Sequence, residues 1–224
     1  MTDPPAIRVW YWRTCDPCTA AQWSLLDGAE TAWAHRLVRD VSRTRYVASH
    51  VGLRTRLAEL TGERPEALRF STGPQGKPSL VGGGNPSFNL AHSGDWAALA
   101  VSTLGELGVD LEVFRKVRDA RAIARRYFAP SEHAAIEVDE PDTPFLRVWT
   151  RKEAVVKLIG TGLLQPLTSF AVPTSAEPAE WIDLPQPNPI AEPRCWVAAL
   201  RAPQGCLAAL ATARAPASVT IEEA

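Results

Sequence analysis

Two short segments carry side chains whose types and spacing suit a hard divalent cation held against a phosphate-rich ligand. In Gly108-Val109-Asp110-Leu111-Glu112 apolar and polar residues alternate as in a strand, which puts both carboxylates on one face. Trp149-Thr150-Arg151-Lys152-Glu153-Ala154-Val155-Val156-Lys157 reads as a helix, with Glu153 and Lys157 one turn apart. Three carboxylates and a lysine brought together would suit magnesium, which prefers a few carboxylates plus phosphate oxygens and water. Each segment has a plainer alternative: Asp-x-Glu on the wet face of an edge strand, and a surface Glu–Lys pair. Two features favour a shared site. Like-charged carboxylates in an apolar strand are costly to bury unless something neutralises them. Leu146, Trp149, Glu153 and Val156 fall on one helical stripe, so Glu153 emerges on the side that Trp149 buries.

Two other segments add polar groups. Gly76-Lys77-Pro78 offers a basic side chain from a stiff turn, and Phe88-Asn89-Leu90-Ala91-His92-Ser93 ends a strand with His92 near a turn. Lys77 and His92 together suit phosphate oxygens, although a lone histidine there is more often a structural hydrogen-bonding residue.

The elements that must position these groups follow from periodicity. Strands are expected at 7–13, 67–71, 87–92, 96–102 and 106–114, then near Phe170, near Trp181, and at 195–200 and 206–212. Helices are expected at 20–39 and 43–60, the second ending at Gly62, and at 120–128, 131–137 and 143–159. Gly82-Gly83-Gly84-Asn85 reads as a loop, as does the proline-rich stretch 185–193. Trp96-Ala97-Ala98-Leu99-Ala100 and Leu207-Ala208-Ala209-Leu210-Ala211 each close one half of the chain, a faint internal repeat.

Composition bounds the answer. A chain of 224 residues with 46% hydrophobic and 22% charged content can bury a full core as one large or two small domains. A net charge of −1 argues against a general nucleic-acid binder. No apolar run reaches the length of a membrane span, and the start Met1-Thr2-Asp3-Pro4-Pro5 lacks signal-peptide features, so a cytoplasmic protein is the expectation. Arg36, Arg39, Arg43, Arg45, Arg54 and Arg56 crowd one segment, as an anion-binding patch or, more commonly, a solvated helix face. Cys15-Asp16-Pro17-Cys18 has the spacing of a zinc or redox half-site, but Cys195 and Cys206 lack paired-ligand spacing, so free thiols are expected.

Taken in order, the chain resembles the Sfp-type 4′-phosphopantetheinyl transferases. The matching series is Gly76-Lys77-Pro78, Phe88 to Ser93, Gly108 to Glu112, Arg126-Tyr127-Phe128, Trp149 to Lys157 and Gly160-Thr161-Gly162-Leu163. The resemblance implies an α+β fold: a pseudo-twofold dimer of two similar halves in one chain, with the active site between them. Residues 1–105 would bind the nucleotide of coenzyme A. Residues 106–224 would carry the magnesium site, the catalytic helix and the carrier-protein docking surface. It implies transfer of phosphopantetheine from coenzyme A to a serine of an acyl or peptidyl carrier protein, releasing adenosine 3′,5′-bisphosphate. By that similarity Asp110, Glu112 and Glu153 hold Mg2+, and Glu153 is also the general base. Lys157, Lys77 and His92 neutralise phosphate charge, while Gly76, Pro78 and Asn89, Leu90, Ala91 and His92 contact the nucleotide portion.

There are two departures. Ala91 stands where the family usually has serine, removing one phosphate hydrogen bond. Trp33 and Ala34 fall near the positions that hold the 3′-phosphate in relatives, so Arg36 or Arg45 would substitute. A basic run including Arg118, Arg121, Arg125 and Arg126 would complement an acidic carrier helix. Two similar halves in one chain would make a monomer sufficient. The rival readings are a binding module for coenzyme A or carrier protein without turnover, and a magnesium-dependent phosphohydrolase.

Overall fold

The computed structural model describes residues 6–82, 86–176 and 179–223. Gly83, Gly84 and Asn85 of the expected glycine-rich loop, and the start Met1 to Pro5, lie outside them. In chain order the elements are β1 (Ala6–Arg13), α1 (Ala20–Trp23), α2 (Gly28–Arg36), α3 (Asp40–Thr61), β2 (Phe70–Thr72), β3 (Pro78–Leu80), β4 (Ser87–Ser93), β5 (Trp96–Ser102) and β6 (Leu107–Val113). Then follow α4 (Ala120–Tyr127), α5 (His133–Ile136), α6 (Asp142–Ile159), β7 (Ala179–Asp183), β8 (Arg194–Leu200), β9 (Cys206–Thr212) and β10 (Ser218–Glu223). The fold is mixed α and β.

Two four-stranded sheets organise the molecule, ordered β10-β1-β5-β4 and β6-β9-β8-β7, with a small β2–β3 hairpin beside them. The alanine-rich strands β5 and β9 each take an interior place, where small side chains let covering elements approach. The sheets differ in connectivity. The second is wholly antiparallel, whereas the first is completed by β10, which runs parallel to β1 and returns from the far end of the chain.

The sheets meet where β4 lies beside β6. Side chains of β4 bridge this seam: Val109 N–H donates to Asn89 Oδ1 at 2.9 Å, and Val113 N–H donates to Ser93 Oγ at 3.1 Å. Four residues on one strand thus match four on the other in the same direction, so the strands run parallel. Polar side chains supply the partners that the edge of β6 needs.

A long helix covers each sheet. On α3, Gly52 lets Trp12 of β1 approach; a Cβ there would lie 2.4 Å from the Trp12 ring, whose Nε1–H donates to Ala48 O at 3.1 Å. On the second sheet the glycine is in the strand. A Cβ on Gly108 would lie 2.0 Å from Ala154 O and 2.4 Å from Leu158 N, so α6 rests directly on the backbone of β6. Phe145, Leu146, Val148, Val155 and Leu158 bury the rest of that helix in the second core.

The structure corrects several expectations. The helix expected at 20–39 is two helices, because Asp27 accepts the N–H groups of Ala29 and Glu30 while Glu30 reaches back to Asp27 N, a capping box that starts α2 anew. Both carboxylates also bind the buried Arg54, at 2.8 and 2.7 Å, so that arginine belongs neither to a solvated face nor to a ligand patch. No strand forms at Phe170. Lys152 Nζ instead donates to Leu167 O and Phe170 O, while Glu132 accepts Val172 N–H, so a buried ion pair of 2.9 Å satisfies backbone that a sheet would otherwise pair. Strand β10 lies beyond the last expected strand.

The contact at Gly108 yields a test. Gly108→Ala drives a methyl group into helix backbone that cannot rotate away, and should cost about 3 kcal/mol, near the upper end for overpacking. Urea denaturation would read this as a lower midpoint; an unchanged midpoint would show that α6 moves aside freely.

Candidate functional site

Because Gly108 brings α6 onto β6, the helix face one turn before Ile159 lies over Asp110. Lys157 Nζ donates to Asp110 Oδ1 at 2.7 Å and to Val109 O at 3.2 Å. Asp110 is 7% exposed, and its other oxygen, Oδ2, is buried without a hydrogen-bond partner. Burial raises the Asp110 carboxyl to about 7; Lys157 opposes the rise, and Glu112 and Glu153 add to it. Glu153 is raised in the same way, first by burial and then by Glu112, against Lys157. The carboxylates of Asp110, Glu112 and Glu153 therefore share one neighbourhood.

Among the described residues no three His, Cys, Asp or Glu side chains are arranged to hold a metal ion by themselves. Counter-charge comes from Lys157 for Asp110 and from Arg115 for Glu112, the latter at 2.5 Å. Glu112 Oε2 also accepts from Ser93 Oγ at 2.8 Å. The donor set nevertheless fits a small hard cation. An orphaned buried carboxylate oxygen faces a real desolvation cost, and magnesium needs only one or two carboxylates when phosphate completes its shell.

Glu153 and Lys157 open onto a cleft of about 270 Å³, lined also by Gln75, Gly76, Lys77, Pro78, Asn89, Val156, Gly160 and Gly162. The turn after β2 and the end of α6 thus face each other across it. Gly160, at φ 71°, closes α6 in the left-handed conformation that glycine permits. The Lys77 ammonium has partners for all three donors: Glu106 Oε2 at 2.6 Å, Leu107 O at 2.9 Å and Leu158 O at 3.2 Å. It pins the hairpin to the start of β6 and the end of α6, and burial lowers its pKa despite Glu106.

The other sequence candidates are placed differently. The His92 residue is exposed in surface area, but its ring is partly desolvated, which lowers its pKa first; Lys157 and Arg45 act the same way and Glu112 opposes. Ala91 is 3% exposed and packs in the central cluster with Tyr11, Val109 and Leu111, so a side chain there meets the core. Leu90 packs against the first core. Arg45 is bound to Asp95 through Nε at 2.9 Å and Nη2 at 2.7 Å, while Arg36 is exposed at the end of α2; neither lines the cleft. Cys15 and Cys18 are free thiols. On α4, Arg121 and Arg125 turn to Glu137, leaving Arg126, and Arg118 just before the helix, more open. The bonds of Ser93 and Glu106 to these elements have no counterpart among the sequence candidates; a polar residue inside an apolar strand is the signal that marks Ser93.

The raised carboxyls carry a pH signature. A folded pKa above the unfolded value gives stability that is complete below the ordinary aspartate range and is lost as pH rises toward about 7. In chelator-treated protein, the stability of wild type relative to Asp110→Asn should fall steadily between about pH 4 and pH 7.5. Urea denaturation across that range checks it, and a flat difference would contradict the burial of a charged Asp110.

Comparison with known proteins gives the chain's relatives. The family profile described as the 4′-phosphopantetheinyl transferase superfamily matches residues 106–211, which span β6, α6 and β9. A Synechocystis sp. protein bearing a provisional 4′-phosphopantetheinyl transferase name is 35% identical over 71% of this chain and 67% of its own length. The 4′-phosphopantetheinyl transferase HetI of Nostoc sp. is 32% identical over 69% of this chain and 68% of its own. The 4′-phosphopantetheinyl transferase AcpT of Salmonella typhimurium is 42% identical over 54% of this chain, and the match spans 60% of AcpT. By these similarities over two thirds of the length of two such relatives, the chain belongs to the 4′-phosphopantetheinyl transferase superfamily.

Proposed function

We propose that this chain is a magnesium-dependent, Sfp-type enzyme that transfers 4′-phosphopantetheine from coenzyme A to a serine of an acyl or peptidyl carrier protein, releasing adenosine 3′,5′-bisphosphate. The observation that carries the reading is the buried, unpartnered Asp110 Oδ2 next to the Lys157 ammonium, beside a cleft that Glu153 lines. Asp110, Glu112 and Glu153 are the residues that would hold magnesium, which when bound neutralises pyrophosphate charge and acts as a Lewis acid.

The chain's own groups do the rest. The carrier serine oxygen attacks the phosphorus bearing the pantetheine. A new P–O bond forms as the bond to the bridging pyrophosphate oxygen breaks, and that electron pair leaves with the adenosine bisphosphate. The serine proton passes to Glu153, directly or through water. Burial, by raising the Glu153 pKa, makes it a stronger base than an exposed glutamate. Lys157 stabilises phosphate charge as it grows. Lys77 acts mainly by holding Gly76 and Pro78 at the cleft, and His92 hydrogen-bonds the phosphates.

The carrier docks beside β6 over residues 115–128, where the exposed Phe114 and Tyr127 adjoin Arg118 and Arg126. In this reading the two sheets with their covering helices are the halves of the pseudo-dimer, with β10 from the second half of the chain joining the first sheet, and the chain acts as a monomer in the cytoplasm. No helix among the described residues is long and apolar enough to cross a membrane.

Incubation with coenzyme A, magnesium and a carrier protein should raise the carrier's mass by one phosphopantetheine. Glu153→Gln should slow transfer at least about a hundredfold, as expected for loss of a general base. Binding of coenzyme A without any mass gain across acyl and peptidyl carriers would favour a non-catalytic module. Hydrolysis of coenzyme A in the absence of carrier would favour a phosphohydrolase.

A further inference from the structure

We propose that Ser93 is a positioning residue that orients Glu112 toward the divalent cation; this rests on the metal role of Glu112 in the proposed function. Ser93 closes β4 and has two partners on β6. Its Oγ accepts the Val113 N–H at 3.1 Å and lies 2.8 Å from Glu112 Oε2. The backbone N–H can only donate, so the single hydroxyl proton is directed to Glu112. That bond holds Oε2 and leaves Oε1 free to turn toward the cation.

The serine itself is fixed from both sides. Asn89, four residues earlier on the same strand, makes the matching bridge to Val109 N–H. Gly94, immediately after it, has φ 55°, and a Cβ there would lie 2.9 Å from Val113 Cγ2, so the turn packs against the residue whose N–H Ser93 accepts. Arg115 also reaches Glu112 Oε2, at 2.5 Å, and Val113 O, at 3.3 Å, from a side chain 51% exposed. The arginine approaches Glu112 from its own strand end, and the Ser93 hydroxyl is the bond that holds the same oxygen from β4.

The test uses the full chain and Mn2+ as the probe, with free metal read by electron paramagnetic resonance in the presence of coenzyme A. Ser93→Ala should weaken Mn2+ binding by roughly tenfold or more, as loss of a group that orients a metal ligand commonly does. The metal concentration for half-maximal transfer should rise by the same factor, while kcat at saturating metal stays within about twofold. Ser93→Thr, which keeps the hydroxyl, should stay within about threefold of wild type, and Ser93→Cys, a weaker donor of similar size, should fall between. If the alanine variant does not fold, the cysteine and threonine variants decide. Equal binding in wild type, Ser93→Ala and Ser93→Cys, alongside weakened binding in Glu112→Gln, overturns the inference and leaves the proposed function standing. An equal loss in the alanine and threonine variants also overturns it, because the hydroxyl would then not matter. Wild-type binding in Glu112→Gln would remove the metal role of Glu112 and the inference together.

Discussion

The close approach of α6 to β6 at Gly108 is the contact on which the site depends. With a side chain there, the helix would stand off by the width of a methyl group, because Ala154 O and Leu158 N already occupy that space. The spacing matters most for Lys157. Its ammonium meets Asp110 Oδ1 and Val109 O only because the helix axis lies this near the strand. Asp110 can then be buried with a counter-charge on one oxygen and none on the other. A carboxylate with half of its hydrogen-bonding capacity unmet in a dry place is costly for folding. It is also a ready ligand for a hard cation.

Buried charge elsewhere serves architecture. Lys152, the neighbour of Glu153 on α6, is fully buried with Glu132, and together they satisfy backbone groups of Ala129, Leu167, Phe170 and Val172. Arg54 does similar work for Asp27, Glu30, Pro65 O and Leu68 O. Removing one member of such a group strands the other, typically at about 3–5 kcal/mol, so these pairs lock the chain into one arrangement. On α6 the sequence order Lys152-Glu153 therefore divides the work: one residue faces the core and the next faces the cleft.

The seam between the sheets explains why short polar motifs lie inside apolar strands. Asn89 and Ser93 satisfy backbone N–H groups at the edge of β6, and Lys77 ties the hairpin to the start of that strand. Residues that read as ligand contacts are thus partly the fasteners that bring the ligand-facing groups together. Ala91 sits between the two bridging residues and is packed against Val109 and Leu111 in the central cluster, so its small size suits the seam.

Much was legible in the chain before any contact was known. Alternation placed Asp110 and Glu112 on one strand face, helical spacing put Glu153 and Lys157 one turn apart, and ordered short motifs pointed to the family. These are local properties, set by the geometry of strand and helix. Other features depended on residues far apart in sequence. The burial of Arg54 needs Asp27 and Glu30, the irregular backbone at Phe170 needs the Lys152–Glu132 pair, and Arg45 goes to Asp95 instead of the cleft. Periodicity cannot foresee which buried charge will claim a distant carbonyl or carboxylate. The amino-acid sequence by itself thus determined the residue types available and the strand and helix faces that carry them. Tertiary structure decided which polar groups remain free to act, because partners, burial and the unpaired Asp110 oxygen exist only once β4, β6 and α6 pack together.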